Sequence, residues 1–226
     1  MAKEKILVVA SHPDDEVIGC GGSMVKWQEL GHEIRILILA DGVSARHLID
    51  SFPKEELIKR REAAMKSADI MGIDHIEFLD FPDNRMDTID LLDIITEIED
   101  RINSFMPDTI VTHWSNDLNI DHRITQQAVV TASRPQPNDS VKKILSFEVP
   151  SATNWQLNSE SFDPNFHVDI TETLSTKIKA LNAYKYEMRK WPHSRSIESI
   201  ENLAKYRGSS IGVEAAESFV LLRQIN

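Results

Sequence analysis

A chain of 226 residues with 41% hydrophobic content can bury one sizeable core, and its 36 acidic against 25 basic residues leave a net charge of −11. That balance argues against nucleic acid and anionic membrane as main partners, since both reward a basic face. The single cysteine, Cys20, excludes an internal disulfide and a Cys-rich metal site, and no apolar run approaches membrane-spanning length.

Met1 to Lys5 enters a strand directly, without the apolar core of a signal peptide, so the expectation is a reducing, cytoplasmic setting. Ile6 to Ala10 is a continuous apolar run, the pattern of a central parallel strand covered on both faces. Pro13 removes a backbone donor and keeps His12 out of helical geometry, so the chain turns there. An imidazole and three carboxylates, His12, Asp14, Asp15 and Glu16, therefore stand at the end of a buried strand. A divalent cation would offset that charge. Alternatively, the acids occupy the first turn of the next helix, where negative charge is favoured.

That helix is expected from Glu16 to Leu30, ended by Gly31. Its Gly19-Cys20-Gly21-Gly22-Ser23 segment is a poor helix former, but small residues let it lie close to a sheet or admit a ligand to the backbone. Cys20 reads as buried and inert. Glu33 to Ala40 is a second strand, closed by the Asp41-Gly42 turn. Val43 to Pro53 carries no regular pattern. An amphipathic helix follows from Lys54 to Met71, then a strand from His75 to Leu79 and an acid-rich loop from Asp80 to Asp87. Thr88 to Phe105 reads as a helix, with Ile89, Leu92, Ile95 and Ile98 on its apolar side and Pro107 beyond its end. Thr109 to Thr112 is a fourth strand, leading through His113–His122 into a helix from Arg123 to Ala132. After the Pro-rich Ser133–Pro137 loop come a strand from Lys142 to Val149, a short strand at Phe166–Ile170, and a long helix from Glu172 to Arg189. A loop at Pro192–Ser196, a helix from Ile197 to Tyr206 and a closing strand from Glu217 to Leu222 complete the chain.

This alternation predicts one α/β domain: a Rossmann-like, doubly wound, mostly parallel sheet of order 3-2-1-4-5 over about residues 5–150, with a C-terminal α+β elaboration over about 151–226. Ligands of such sheets bind beyond the carboxyl ends of the first and fourth strands, where the winding reverses. His12–Glu16 and Asp121-His122 should meet there. His12, Asp15 and His122 offer two imidazoles and one carboxylate, which suits catalytic Zn²⁺ with a position left for water, and also Fe²⁺. Asp14, beside a ligand, can accept a proton from such a water. His122 alone would read more simply as a packing or capping residue; its pairing with His12 and Asp15 favours the metal.

At these residues the chain resembles the LmbE-like, or PIG-L-type, zinc-dependent de-N-acetylases. The family's first motif, Ala/Ser-His-Pro-Asp-Asp-Glu, stands here as Ser11 to Glu16, and its second ends in Asp-His, here Asp121-His122. Asp41-Gly42, Arg60-Arg61-Glu62 and Met71-Gly72 extend a likeness that covers roughly residues 5 to 135. More loosely, Leu203 to Gly208 is similar to members found with surface-polysaccharide and modified-sugar genes. The resemblance implies hydrolysis of an N-acetyl group from an amino sugar, free or nucleotide- or lipid-linked. It also implies His12, Asp15 and His122 as zinc ligands, Asp14 as general base and Asp121 as part of the catalytic motif. Members are often oligomeric, so a homo-oligomer is compatible with it.

One departure matters. Many members carry His-Pro-Asp-His in the second motif, and its first histidine helps stabilise the oxyanion; here Asn119 stands in that place. Asn119 can donate a hydrogen bond but carries no titratable proton. His193, and after it His113, are the residues expected to supply the missing function. Arg60 suits a phosphate or carboxylate on the substrate, Asp83 and Arg85 would line the rim, and Trp114 or Trp155 would stack on a sugar ring. Two other readings remain: a metal-dependent hydrolase of another small amide or ester, and a non-catalytic sugar-binding relative. The second has no need of a base beside a metal. Gly19 to Gly22 lacks the Gly-x-Gly-x-x-Gly spacing of a nucleotide loop.

Overall fold

The apolar opening run forms β1 (Lys5–Ala10), buried from Ile6 onward, near the middle of a seven-stranded sheet. The structure, a computed structural model, describes residues 3–46, 54–137, 139–155 and 160–226. β1 pairs in parallel with β2 (Glu33–Ala40) on one side and β4 (Thr109–His113) on the other. β3 (His75–Phe81) and β5 (Lys143–Phe147) continue the parallel sheet outward. Two antiparallel strands, β7 (Ala216–Gln224) and then β6 (Phe166–Asp169), extend it past β5, giving the order β3-β2-β1-β4-β5-β7-β6. The expected order 3-2-1-4-5 is present, and the C-terminal elaboration adds strands to the same sheet.

Alternation along β1 divides the core into two halves. Ile6, Val8 and Ala10 face a cluster that includes Val17 and Met24 of α1 (Asp15–Glu29), Ala64 and Ala68 of α2 (Lys54–Ile70), and Leu181, Tyr184 and Ile200 of the C-terminal region. Leu7 and Val9 face Ile94 and Ile98 of α3 (Leu91–Phe105) and Ala128 and Val129 of α4 (Ile120–Ala132). Both faces of the strand are covered, so its end can carry a polar cluster out of bulk water.

The Gly-rich segment is helical but broken: Cys20 has φ −146° and ψ 21° inside α1. A Cβ at Gly19 would lie 2.2 Å from the Phe147 ring, and one at Gly22 would lie 2.8 Å from Ile170, so the small residues are there for close packing. Cys20 is fully buried and its Sγ–H faces the Glu16 carbonyl. The interrupted backbone finds its partners in a buried pair 2.6 Å apart. Lys177 Nζ donates to the Ile18 carbonyl at 2.8 Å, and Glu217 accepts the N–H groups of Gly22 (2.9 Å) and Ser23 (2.6 Å).

Several expected boundaries shift for identifiable reasons. The long helix over 172–189 is instead α6 (Leu174–Leu181), a 3₁₀ turn at Asn182–Tyr184 and a loop to Ser196. The chain leaves the helical path as Tyr184 turns into the core, where its hydroxyl donates to Glu16 Oε1 at 2.5 Å. The helix expected from Thr88 begins at Leu91, after an extended Ile89 and a 3₁₀ turn at Met86–Thr88 whose Met86 N–H donates to Asp121 at 3.0 Å. α4 starts at Ile120 rather than Arg123, because Asn119 caps it by accepting from the N–H of Asp121 at 2.8 Å. The fifth strand stops at Phe147, and Pro150 opens the short α5 (Pro150–Thr153). The final helix, α7, spans Ile197–Ser209. Residues 47–53 of the irregular stretch after Val43 lie outside the described residues. Among the described residues no helix is long and apolar enough to cross a membrane.

Phe147 is itself fully buried and cannot withdraw from a methyl group at residue 19. Gly19→Ala is therefore expected to destabilise the fold by about 1–3 kcal/mol. Urea unfolding checks this; an unchanged midpoint would contradict the packing account.

Candidate metal centre

The carboxyl ends of β1 and β4 bring the two polar clusters together as the winding rule requires. His12 follows β1, and His122 sits in the first turn of α4 after β4. Both imidazoles point at one carboxylate oxygen: Asp15 Oδ2 lies 3.0 Å from His12 Nδ1 and 3.1 Å from His122 Nε2. These three atoms lie within 4.8 Å of one another, and all three residues are buried.

The opposite nitrogen of each ring faces further carboxylates. His12 Nε2 lies 2.9 Å from Asp121 Oδ2 and 3.1 Å from Asp83 Oδ1, and His122 Nδ1 lies 3.2 Å from Asp117 Oδ1. The hydrogen bond of Asp121 to His12 Nε2 favours a proton there, and Asp117 close to His122 Nδ1 favours one on that nitrogen, which leaves the lone pairs of His12 Nδ1 and His122 Nε2 facing inward. Two nitrogen lone pairs and a carboxylate then converge, an arrangement that repels itself unless a positive charge sits among them. Asp15 Oδ1 has no hydrogen-bond partner. The donor set thus fits a divalent cation.

His12, Asp83 and Asp121 form a second group close enough to hold an ion. Its oxygens are already engaged: Asp121 accepts the N–H groups of Asn84 (2.6 Å) and Met86 (3.0 Å), and Asp83 Oδ1 accepts from Asn84 Nδ2 (2.9 Å). Asp121 and Asp83 are better placed to orient His12 than to bind metal themselves.

The need for positive charge also appears in the titration of the metal-free groups. Burial lowers His12, but its hydrogen bonds with Asp121, Asp15 and Asp83 outweigh that and leave it well above its usual value. Burial likewise opposes His122, which Asp15 and Asp117 raise. Burial raises Asp15, and the two imidazoles overcome this to hold it well below the usual carboxylate range. All three shifts have the sign that favours positive charge among these groups.

Asp14 adjoins this set in an unusual backbone conformation, φ 107°. A non-glycine residue there costs on the order of 1–3 kcal/mol and persists only where its surroundings fix it. The Asp14 N–H donates to Glu16 Oε2 at 3.0 Å, and Oδ1 accepts from Arg195 Nη2 at 2.6 Å. Oδ2 is buried without a hydrogen-bond partner, 3.5 Å from Arg60 Nη2. Burial lifts the Asp14 carboxyl above its ordinary value, against the pull of Arg195 and Arg60. Glu16, also fully buried, is pushed up by burial to about 7 and held by Tyr184.

A cavity of about 140 Å³ opens on the cluster, lined by His12, Asp15, Arg60, Asp83, Asn84, Asn119, His122, Ser151 and Arg195 among others. Of the residues singled out in the sequence, Arg60 is buried, donates to the Pro13 carbonyl at 2.6 Å and pairs with Glu187. Asn119 spends its Oδ1 on the α4 cap and its Nδ2 on Asn84 Oδ1 at 2.9 Å. His113 is fully buried behind the cluster, stacked on His122 at 4.0 Å, with Nε2 accepting the Ser11 N–H at 2.9 Å. Burial, aided by the neighbouring His122, drives its pKa well down, so it stays neutral.

The structure does not bring the rest to the cavity. His193 is exposed, and its Nδ1 accepts the backbone N–H of Arg195 at 3.0 Å. Arg85 is exposed outside the lining. Trp114 is buried against Phe162, and Trp155 is 66% exposed. Arg195, Asp117, Glu187 and Tyr184 were not visible as site residues in the sequence. Only the carboxylate spacing Asp117–Asp121 gave any hint of a second acid beside the ligand histidine.

At the switch point of a doubly wound sheet, two imidazoles and a carboxylate converge closely enough to hold a cation, with the buried Asp14 carboxylate alongside. Residues 7–133, more than half of the chain, match the family model for GlcNAc-PI de-N-acetylase, PIG-L, and the chain belongs to that family of deacetylases. It is 26% identical over 222 residues to the diacetylchitobiose deacetylase of Thermococcus kodakarensis, covering 95% of this chain and 81% of that one. It is 29% identical over 189 residues to the uncharacterized deacetylase YaiS of Escherichia coli, covering 81% and 91%. The fold matches that of the N,N'-diacetylchitobiose deacetylase from Pyrococcus horikoshii with a TM-score of 0.78 at 22% identity, over 97% of this chain and 84% of that one.

Removing the acid behind a ligand should weaken metal binding without removing a ligand. Asp117→Ala is expected to lower zinc affinity about 10–100-fold. Because His12 and His122 are both raised by the neighbouring acids, the metal-free rings keep their protons to higher pH than ordinary imidazoles, and a bound cation would have to displace them. Zinc affinity should therefore fall as the pH drops from 8 through 6. Chelator competition at several pH values measures both effects; a pH-independent affinity would contradict this assignment.

Proposed function

We propose that this chain is a zinc-dependent N-deacetylase that removes the acetyl group from an N-acetylated amino sugar or its conjugate. The observation that carries the reading is the buried convergence of His12 Nδ1, Asp15 Oδ2 and His122 Nε2 beside Asp14. Those three residues would hold the ion. Two nitrogens and one oxygen suit zinc, with ferrous iron as the alternative metal for the same set. When bound, such a cation polarises the amide carbonyl and lowers the pKa of water.

The chain's own groups then divide the work. Asp14, buried and with Oδ2 free of hydrogen bonds, takes the proton of the attacking water and returns it to the departing nitrogen. Its left-handed backbone and the Arg195 contact fix the carboxylate in place, so little reorganisation is needed during the proton transfer. Asp121 and Asp83 orient His12, and Asp117 orients His122. Arg60 and Asp83 line the cavity, where a guanidinium and a carboxylate can meet sugar hydroxyls or an acidic substituent. The relative named for deacetylating diacetylchitobiose supports an N-acetylated sugar as the substrate class.

The test is release of free amine from N-acetylhexosamines and their oligomers. Zinc-loaded protein should release amine, lose that activity to a chelator and regain it with zinc. Asp14→Asn should lower kcat by roughly 10²–10⁴-fold at unchanged metal content. Failure to release amine from any such sugar, or turnover indifferent to chelation, would overturn the reading.

A further inference from the structure

Asn119 stands where the family resemblance implies an oxyanion-stabilising histidine, and the geometry narrows what could replace it. Asn119 has its oxygen on the α4 N-terminus and its amide nitrogen on Asn84. His113 lies behind His122 with one nitrogen on Ser11 and outside the cavity lining. His193 is exposed. Arg60 is engaged by the Pro13 carbonyl and Glu187.

Arg195 is the other guanidinium of the cavity lining. It reaches the cavity from the loop before α7, and that loop is closed on itself. Arg189 N–H donates to the Arg195 carbonyl at 3.1 Å, His193 N–H to the Lys190 carbonyl at 3.1 Å, and Ser196 N–H to the His193 carbonyl at 2.9 Å. The Arg195 N–H donates to His193 Nδ1, and buried Ser196 caps α7 by accepting from Ser199 N–H at 3.0 Å. The backbone that carries Arg195 is thus held on both sides. One amino group of its guanidinium, Nη2, donates to Asp14 Oδ1 at 2.6 Å and lies 3.5 Å from Asp15 Oδ1. Its Nε–H is buried without any partner, on a side chain that lines the cavity. A buried N–H left unpaired is costly, and in a ligand cavity it points to a substrate atom as the missing acceptor.

We propose that Arg195 is the oxyanion-stabilising residue of this site, holding Asp14 through Nη2 and offering its remaining donors to the amide oxygen of the substrate. The inference rests on the deacetylase reading above. In that reaction the water oxygen bonds to the acetyl carbon, and the carbonyl π pair moves onto oxygen as the water proton passes to Asp14. The pair on the oxyanion then re-forms the carbonyl and the C–N bond breaks as Asp14 returns the proton to nitrogen, giving the free amine and acetic acid, which loses its remaining water-derived proton to solvent as acetate. A fixed guanidinium beside both the base and the carbonyl oxygen stabilises charge that grows only in the transition state, so its effect belongs in kcat. His193 then acts through the Arg195 backbone.

The experiment compares zinc-loaded wild type, Arg195→Ala and Arg195→Lys at equal metal content. Arg195→Ala should lose roughly 10²–10³-fold in kcat with KM changed only a few-fold. Added guanidinium should restore part of that activity. Arg195→Lys, which keeps the charge but not the fork, should fall between the two. As a readout independent of turnover, methylphosphonate, a tetrahedral oxyanion, should bind Arg195→Ala at least about tenfold more weakly than wild type by calorimetry. A kcat within threefold of wild type in Arg195→Ala, a loss confined to KM, or unchanged methylphosphonate affinity would overturn the proposal. If Arg195→Ala does not fold, a wild-type kcat and methylphosphonate affinity in Arg195→Lys would overturn it. Wild-type protein that releases no amine from any N-acetyl sugar would overturn the deacetylase reading instead, while the calorimetry still reports on Arg195 as an oxyanion donor.

Discussion

Two imidazole nitrogens and a carboxylate oxygen are held facing one another at the buried floor of the cavity, and much of the structure serves to keep them there. Left to themselves these groups would turn apart. Asp121 and Asp83 hold one ring and Asp117 the other, and backbone N–H groups of Asn84 and Met86 fix Asp121 in turn. The sheet supplies the meeting point, because β1 and β4 are neighbours and parallel, so residues about a hundred positions apart emerge at the same edge. Burial makes the arrangement consequential. At low local dielectric the unpaired Asp15 oxygen and the inward lone pairs are far more demanding than they would be in water.

The same burial sorts the three consecutive acids by environment. Asp15 lies between imidazoles and is held ionised, Asp14 lies between two arginines and is raised by burial, and Glu16 faces a tyrosine and a backbone N–H and is raised to about 7. A turn that would be over-charged as three carboxylates becomes tolerable when each has its own partner. Asp14 adds backbone strain to this, and the strain falls on the residue whose position matters for proton transfer.

What could be read from the sequence follows from how local each signal is. The apolar run at Ile6–Ala10, the strand-helix alternation and the Asp14-Asp15 and Asp121-His122 pairs are short-range patterns, and winding order alone brings them together. The convergence of His12, Asp15 and His122 was therefore legible from the sequence. The far wall was not. Arg195, Glu187 and Tyr184 come from the region in and after the expected helix over 172–189, which ends at Asn182 so that Tyr184 can pack inward onto Glu16. Periodicity cannot register a contact across 168 residues. In the sequence His193 stands out for its imidazole, whereas the fold uses that ring to receive the Arg195 N–H and sends the arginine into the cavity.

The most direct measurement is anomalous diffraction at the zinc absorption edge from crystals of the zinc-loaded protein. The account predicts one strong peak bounded by His12 Nδ1, Asp15 and His122 Nε2, with Asp121 remaining on His12 Nε2. The absence of a peak there, or a peak on the opposite side of the His12 ring between Asp83 and Asp121, would contradict it.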